Sequence, residues 1–362
     1  MNWQKAILKA MSKKQNIRSL DQEELINIML AWGEKPFRAK QVHQWLWKKG
    51  VADFSEMKNV SPALQQKLKE SFDIYKLQVE DEQVSSDGTI KSAFRLHDGN
   101  VVEGVLIPSS KRMTACISSQ VGCSLSCAFC ATGKLGRIRN LSADEIYDQV
   151  VVVSEQTERI QKKRLSNIVY MGMGEPLLNY RETLRSIKMI TSDEGLGMSP
   201  RRITVSTAGI AKMIRKLGDD KVKFNLALSL HAANDEKRSK IMEINKDNSL
   251  SELSEALKYF YDMTGSRITF EYILFKDFND GLEDARELAE FSKVVPVKIN
   301  LIEYNSVEGV KYQKADDDKI EAFSRFLQDR NMIVNIRRSR GKDIDAACGQ
   351  LANKNKAYTK TV

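Results

Sequence analysis

The chain has 362 residues, with 57 Lys+Arg against 48 Asp+Glu for a net charge of +9, and 42% of its side chains are hydrophobic. That composition belongs to a globular protein long enough for two domains or for one large α/β barrel with an appendage, and it excludes a disordered or fibrous chain. The longest obvious apolar run is Val150–Val153, far short of the roughly 18 residues a membrane helix needs, while the basic excess asks for an anionic partner.

The opening segment MNWQKAILKAMSKKQ has no hydrophobic signal core ahead of a small-residue cleavage site, so a cytoplasmic protein with no membrane association is expected. The first 80 residues carry 14 basic against 9 acidic side chains and all four tryptophans, Trp3, Trp32, Trp45 and Trp47. DQEELINIMLAWG and AKQVHQWLWKKG show apolar residues at helical spacing and end in Gly33 and Gly50, which suit C-caps. These features predict a small helical domain over residues 1–76. Its tryptophans make a compact core or stack on nucleic acid. Residues 77–108 alternate apolar and polar side chains around the turn signals Asp87-Gly88 and Asp98-Gly99, and predict antiparallel strands that extend the next domain.

From about Met113 the rhythm changes. Apolar β-branched segments alternate with helical ones: TACISS, NIVYMG, RITVST, FNLALSL, RITFEYILF, VKINLIE and MIVNIRR, with amphipathic stretches between them. Ser142 and Glu145 make a plausible capping box for the first helix. Repeated βα units imply a parallel sheet with right-handed crossovers, either doubly wound or an incomplete barrel, over residues 109–345. Polar signatures follow nearly every strand at its C-terminal end, as if converging on one mouth, and this favours a partial (β/α)6-type barrel. Residues 346–362 form a separate C-terminal segment.

Five cysteines, in a protein with three histidines, argue against a disulfide framework and leave few mixed zinc sites. Cys123, Cys127 and Cys130 form a C-x3-C-x2-C loop directly after a strand. Three thiolates in eight residues suit a soft metal centre, and with no fourth ligand nearby an iron–sulfur cluster could keep one iron open. Three-ligand zinc and buried structural thiols are the alternatives. Basic residues gather at Lys111-Arg112, Arg137/Arg139, Arg201-Arg202 and Arg330/Arg337/Arg338/Arg340/Lys342, where they could meet phosphate or simply solvent.

The spacing, with an aromatic before the last cysteine, resembles the radical S-adenosylmethionine superfamily. The ordered set VGCSLSCAFCATG, MGMGEP, ITVSTAGI, ALSLHAANDEKR, NLIEYN and DIDAACGQL resembles the RlmN/Cfr family of radical RNA methyltransferases, and EKPFRAKQVHQWLW resembles that family's small RNA-binding domain. The resemblance implies a [4Fe-4S] cluster on Cys123, Cys127 and Cys130, and two S-adenosylmethionine molecules per turnover. Gly174 and Glu175 would recognise the methionine amino end, Ser206 and Ser229-Leu230-His231 would surround the nucleoside and methionine, and Asn305 would lie near the ribose. A lone histidine such as His231 is as readily a structural residue.

The resemblance further implies that Cys348 first accepts a methyl group as a thiolate nucleophile. A second S-adenosylmethionine, cleaved at the cluster to a 5′-deoxyadenosyl radical, then activates that methyl group for addition to adenine. Cys116 would release the product through a transient disulfide, and Glu103 would take the ring proton. Without the resemblance, Cys116 reads as a small core residue and Glu103 as a surface charge. The implied reaction is methylation at C2 of adenine 2503 in 23S rRNA, with adenine 37 of tRNA as a further substrate. The target base would have to leave its stack. The implied partners are those RNAs and a low-potential donor such as flavodoxin or ferredoxin, acting on a monomer. Methylation at C8, a small-molecule radical enzyme, and a zinc-stapled RNA-binding protein without catalysis are the competing readings.

Overall fold

The computed structural model describes residues 14–353, so Trp3 and the distal part of the C-terminal segment lie outside the described residues. A two-residue strand β1 (Gln15–Asn16) is followed by helices α1 (Gln22–Ala31), α2 (Phe37–Trp47) and α3 (Pro62–Ser71), and β2 (Phe72–Asp73) pairs in parallel with β1. The helix starts follow from the sequence. Asp21 and Glu24 form a reciprocal capping box, and Ser61 caps α3 with Pro62 in the first turn, where its missing N–H costs nothing. Leu25, Met29, Val42, Leu46, Leu64 and Leu68 make the core of this unit; Trp47 is buried with them, while Trp32 and Trp45 pack at its margin.

The unit sits on α4 (Ala143–Gln161), whose Ser142 and Glu145 do form a capping box. Arg18, wholly buried, places two guanidinium nitrogens 2.8 Å from the Asp148 carboxylate and lies 4.5 Å from the centre of the Trp47 ring.

Three antiparallel strands follow α3 and β2: β3 (Gln78–Val84), β4 (Ile90–Arg95) and β5 (Val101–Pro108). β5 pairs with β6 (Met113–Cys116), the first strand of the βα series. A hairpin that periodicity did not suggest, β7 (Gln120–Gly122) with β8 (Arg137–Asn140), brackets the cysteine loop. Six more strands run parallel to β6: β9 (Asn167–Tyr170), β10 (Ile203–Thr207), β11 (Asn225–Ser229), β12 (Ile268–Leu274), β13 (Val297–Glu303) and β14 (Ile333–Arg337). The helices between them are α5 (Tyr180–Thr191), α6 (Ala211–Asp219), α7 (Asp235–Ile241), α8 (Leu250–Thr264), α9 (Leu282–Phe291) and α10 (Asp317–Gln328). Among the described residues no helix is long and apolar enough to cross a membrane.

The sheet order is β14-β13-β12-β11-β10-β9-β6-β5-β4-β3. The parallel strands never reverse direction of growth, which removes the switch point of a doubly wound sheet and leaves an open (β/α)6-type barrel extended by the meander. Register then decides the inner face. Cys116 pairs with Val169, Val169 with Thr204 and Thr204 with Asn225; Ser229 pairs with Glu271, Glu271 with Asn300 and Asn300 with Asn335. Side chains alternate with period two, so Cys116, Ser206, Ser229, Glu271, Asn300 and Arg337 share one face.

Candidate active site

The cysteine loop leaves β7 at Gly122, whose φ is +73° and whose added Cβ would lie 1.7 Å from the Gly136 carbonyl oxygen, so only glycine passes there. The loop is pinned by the Cys123 N–H to that same oxygen at 3.1 Å and by the Cys130 N–H to the Cys127 carbonyl at 3.1 Å. Cys123, Cys127 and Cys130 line a cavity of about 370 Å³ at the mouth of the barrel. Burial pushes the Cys123 thiol up to about 11, with Cys130 and Glu175 adding to the rise, and drives Cys127 well above the usual thiol range. Thiols and a carboxylate are thus crowded together, with Arg238 the cation opposing them at Cys127.

An iron–sulfur cluster fits this donor set, because its positive irons would turn that mutual repulsion into binding. Among the described residues no three His, Cys, Asp or Glu side chains converge on a point one ion would fill. A four-iron cluster would not require it, since Cys123, Cys127 and Cys130 could each hold a separate iron.

Opposite the thiols, the turn after β9 requires glycine at Gly174, where φ is +95° and a Cβ would lie 2.5 Å from Gln120. Glu175 is thereby buried, its two oxygens accepting the N–H groups of Ala208 (2.7 Å) and Leu177 (3.0 Å). Burial raises its carboxyl to about 7 despite those hydrogen bonds, as expected of a carboxylate waiting for a cation. Ser206 and Ser229 reach the cavity with their hydroxyls 3.3 Å apart. Leu230 is fully buried and lies outside the lining; its carbonyl accepts from Arg238 at 3.1 Å. His231 lines the cavity with φ +56°, and its Nδ1 accepts the Ile273 N–H at 3.1 Å, which leaves the ring proton on Nε2. Burial, assisted by Arg238, lowers its pKa to about 3, so it is neutral. Asn305 stays outside the lining and donates from Nδ2 to the carbonyls of Glu303 (3.3 Å) and Cys348 (3.5 Å).

Cys116 and Cys348, distant in sequence, face this same cavity. Burial and the nearby Cys348 sulfur push Cys116 up to about 12, while Arg337 pulls the other way. Cys348 rides on a strap that leaves β14, turns at Gly341 and crosses the mouth. Asp343 accepts from the Ser85 hydroxyl at 2.6 Å, the Gly349 carbonyl from the Ala131 N–H at 2.8 Å, and the Leu351 carbonyl from Thr132 at 2.7 Å. Glu103 is not the surface charge its strand suggested. It is 1% exposed, with Lys91 3.8 Å away, and its Oε2 accepts the N–H groups of Ala352 (2.8 Å) and Asn353 (3.0 Å). It therefore borders the strap rather than the cavity.

Several basic clusters are also spent internally. Arg337 pairs with Glu271 at 3.1 Å, Lys342 and Arg338 with Glu303, and Arg139 with Asp98 and Glu145. Glu271, Lys91 and Arg238 were missed by sequence reasoning. The signal for Glu271 is a lone charge inside an otherwise apolar stretch, FEYIL.

Residues 15–74 match the family described as "Ribosomal RNA large subunit methyltransferase N-terminal domain", and residues 117–291 match the radical SAM superfamily. The chain is 57% identical over 342 residues to the probable dual-specificity RNA methyltransferase RlmN of Cytophaga hutchinsonii, covering 94% of each protein. It is 43% identical over 341 residues to the dual-specificity RNA methyltransferase RlmN of an Anaeromyxobacter species, covering 93% of this chain and 90% of that one. The crystal structure of a radical SAM methyltransferase from Sphaerobacter thermophilus superposes with a TM-score of 0.87 at 37% identity, over 93% of this chain and 99% of that one.

Proposed function

The chain belongs to the RlmN family of radical S-adenosylmethionine RNA methyltransferases, and on that premise we propose that it methylates C2 of adenine 2503 in 23S rRNA and of adenine 37 in tRNA. The observation that carries the reading is the meeting of Cys116 and Cys348 in one cavity with the three-cysteine loop. A structural core residue and a tail cysteine would have no reason to share it.

In this reading Cys123, Cys127 and Cys130 hold a [4Fe-4S] cluster and Glu175 takes the ammonium group of S-adenosylmethionine as a charge-assisted partner. When bound, these groups supply an electron, a methyl group and the means to remove a hydrogen atom. The chain's own residues do the rest. His231, neutral, presents an Nε2–H donor to the cavity, and the paired hydroxyls of Ser206 and Ser229 offer sugar and carboxylate contacts. Cys348 carries the methyl group as a thioether, becomes joined to the base, and is released by Cys116 as a disulfide forms. Glu103, once its strap contacts part, accepts the ring proton. The helical unit of residues 1–76 binds RNA, and a flavodoxin or ferredoxin feeds a cytoplasmic monomer.

Mass spectrometry of adenine from RNA treated with the cluster-loaded enzyme, S-adenosylmethionine and reductant tests the reading. 2-Methyladenine supports it, and 8-methyladenine or unmodified adenine sinks it. Cys348→Ala abolishes methylation, and Cys116→Ala leaves a covalent protein–RNA adduct; normal turnover by either overturns the roles.

A further inference from the structure

Arg238, in α7, is fully buried, and its nitrogens donate to four oxygens, none of them a carboxylate. Nε reaches the Leu230 carbonyl at 3.1 Å and Nη1 reaches Asn245 Oδ1 at 2.7 Å. Nη2 meets the Ala208 carbonyl at 2.5 Å and the Ser229 carbonyl at 3.3 Å. One guanidinium thus ties the turn after β10 to the end of β11. Its aim is fixed in turn. Asn245 Nδ2 donates to Asp235 Oδ1 and to the Ser239 hydroxyl, each at 2.9 Å, and Asp235 Oδ1 also accepts the Leu250 N–H at 2.9 Å.

The turn that Arg238 grips is the one that holds Glu175. The Ala208 N–H donates to Glu175 Oε2 at 2.7 Å while the carbonyl of the same residue is held by Nη2. The other amide on Glu175, that of Leu177, belongs to its own turn, so Ala208 supplies the contact that fixes the carboxylate against a neighbouring strand. Gly209 follows with φ +101°, and a Cβ there would lie 3.1 Å from Nη2 and 3.1 Å from Leu253. Backbone conformation and the approach of the guanidinium both call for glycine at that position. Glu175 and Ala208 line the cavity, whereas Arg238 lies outside the lining. A buried charge is costly unless it is fully hydrogen-bonded, and a side chain needed only for packing would be apolar.

We propose that Arg238 is a positioning residue for S-adenosylmethionine: by clamping the Ala208 turn to the end of β11, it holds Glu175 where the ligand's ammonium group is received. The inference rests on the role proposed above for Glu175. Arginine suits the task because its planar fork reaches several oxygens in fixed directions. The single nitrogen of a lysine would keep the charge but could not span Ala208, Leu230 and Asn245 together.

The test uses the cluster-loaded enzyme without reductant and two ligands in anaerobic equilibrium dialysis. S-adenosylhomocysteine carries the ammonium group but no transferable methyl group, and 5′-methylthioadenosine has the nucleoside without the amino-acid end. Arg238→Met should weaken S-adenosylhomocysteine roughly tenfold while leaving 5′-methylthioadenosine within about twofold of the parent. Arg238→Lys should show the same pattern, since the fork and not the charge is at work. In the Glu175→Gln background, adding Arg238→Met should cost S-adenosylhomocysteine less than about twofold more, a coupling that general loosening of the fold would not produce. If neither Arg238 variant folds, Asn245→Ala carries the test, because it frees Nη1 and leaves the guanidinium in place; a loss of about threefold confined to S-adenosylhomocysteine is then expected. Equal weakening of both ligands, additive losses with Glu175→Gln, or parent-like S-adenosylhomocysteine binding in Arg238→Met or Arg238→Lys overturns the inference. Unweakened S-adenosylhomocysteine binding in Glu175→Gln alone overturns instead the role of Glu175 on which it rests.

Discussion

The two ends of the chain are fastened to the barrel by different physics. The N-terminal unit docks through groups removed from water: Arg18 on Asp148, Asn16 on Asp144 at 2.8 Å, and the Tyr147 hydroxyl on the Trp47 carbonyl at 2.8 Å, under an edge-on contact of the two rings at 5.2 Å. Arg185 adds bonds to the backbone carbonyls of Arg18 and Ser19, each at 2.8 Å. The C-terminal strap buries small or few apolar side chains, such as Ala346, Ala347 and Leu351, and relies on backbone hydrogen bonds and on ion pairs whose cations are half in solvent. One end is built to hold, whereas the other can be lifted at modest cost. Cys348, the proposed methyl acceptor, rides on the second.

That contrast can be broken at its strong side. Arg18→Met leaves Asp148 with Lys76 as its remaining cationic partner, and removing one member of a buried pair costs about 3–5 kcal/mol. A fall in melting temperature of the whole protein is expected, and an unchanged one would show the dock to be dispensable. Glu103→Ala removes a charged acceptor from two strap amides, each worth about 1.5–3 kcal/mol. Here hydrogen exchange should accelerate at Ala352 and Asn353, and because the buried Lys91 loses its partner the melting temperature should fall as well, by less than in Arg18→Met since that pair is wider at 3.8 Å; unchanged exchange at the two amides would show that Glu103 does not hold the strap. The smallest effect is at Glu303. Burial opposes its charge, but Arg338 and Lys342 bring its carboxyl from 4.5 down to about 2. A depressed acid stabilises the fold fully above its unfolded pKa, and that contribution is lost as pH falls from about 4.5 toward 2. The gap in urea midpoint between the parent and Glu303→Gln should therefore close over that window, and a gap that stays constant would contradict the pairing.

Much of this was legible in the residues. Seven strand segments, the Ser142–Glu145 cap and the glycine turns are local patterns, and local patterns survive into the fold. The three-cysteine loop was legible because its ligands are neighbours in sequence. What stayed hidden depends on partners far along the chain. Arg337 and Arg338 looked like an RNA face because sequence shows charge without showing that Glu271 and Glu303 lie against them. Glu103 looked exposed because a two-residue alternation cannot reveal that the last residues of the described chain come back to cover it. The hairpin of β7 and β8 escaped because its strands are shorter than any periodicity can register.

The bonds from Ala352 and Asn353 to Glu103 act as an interlock. An oxygen already accepting two amide hydrogens has its lone pairs engaged. While the strap lies across the mouth, that oxygen is occupied. In the proposed reaction it would be free to accept a proton only once the segment bearing Cys348 is drawn away, as a base attached to that sulfur would require. Under that proposal the same two hydrogen bonds would impose an order on the chemistry, with attachment of the base before removal of its proton.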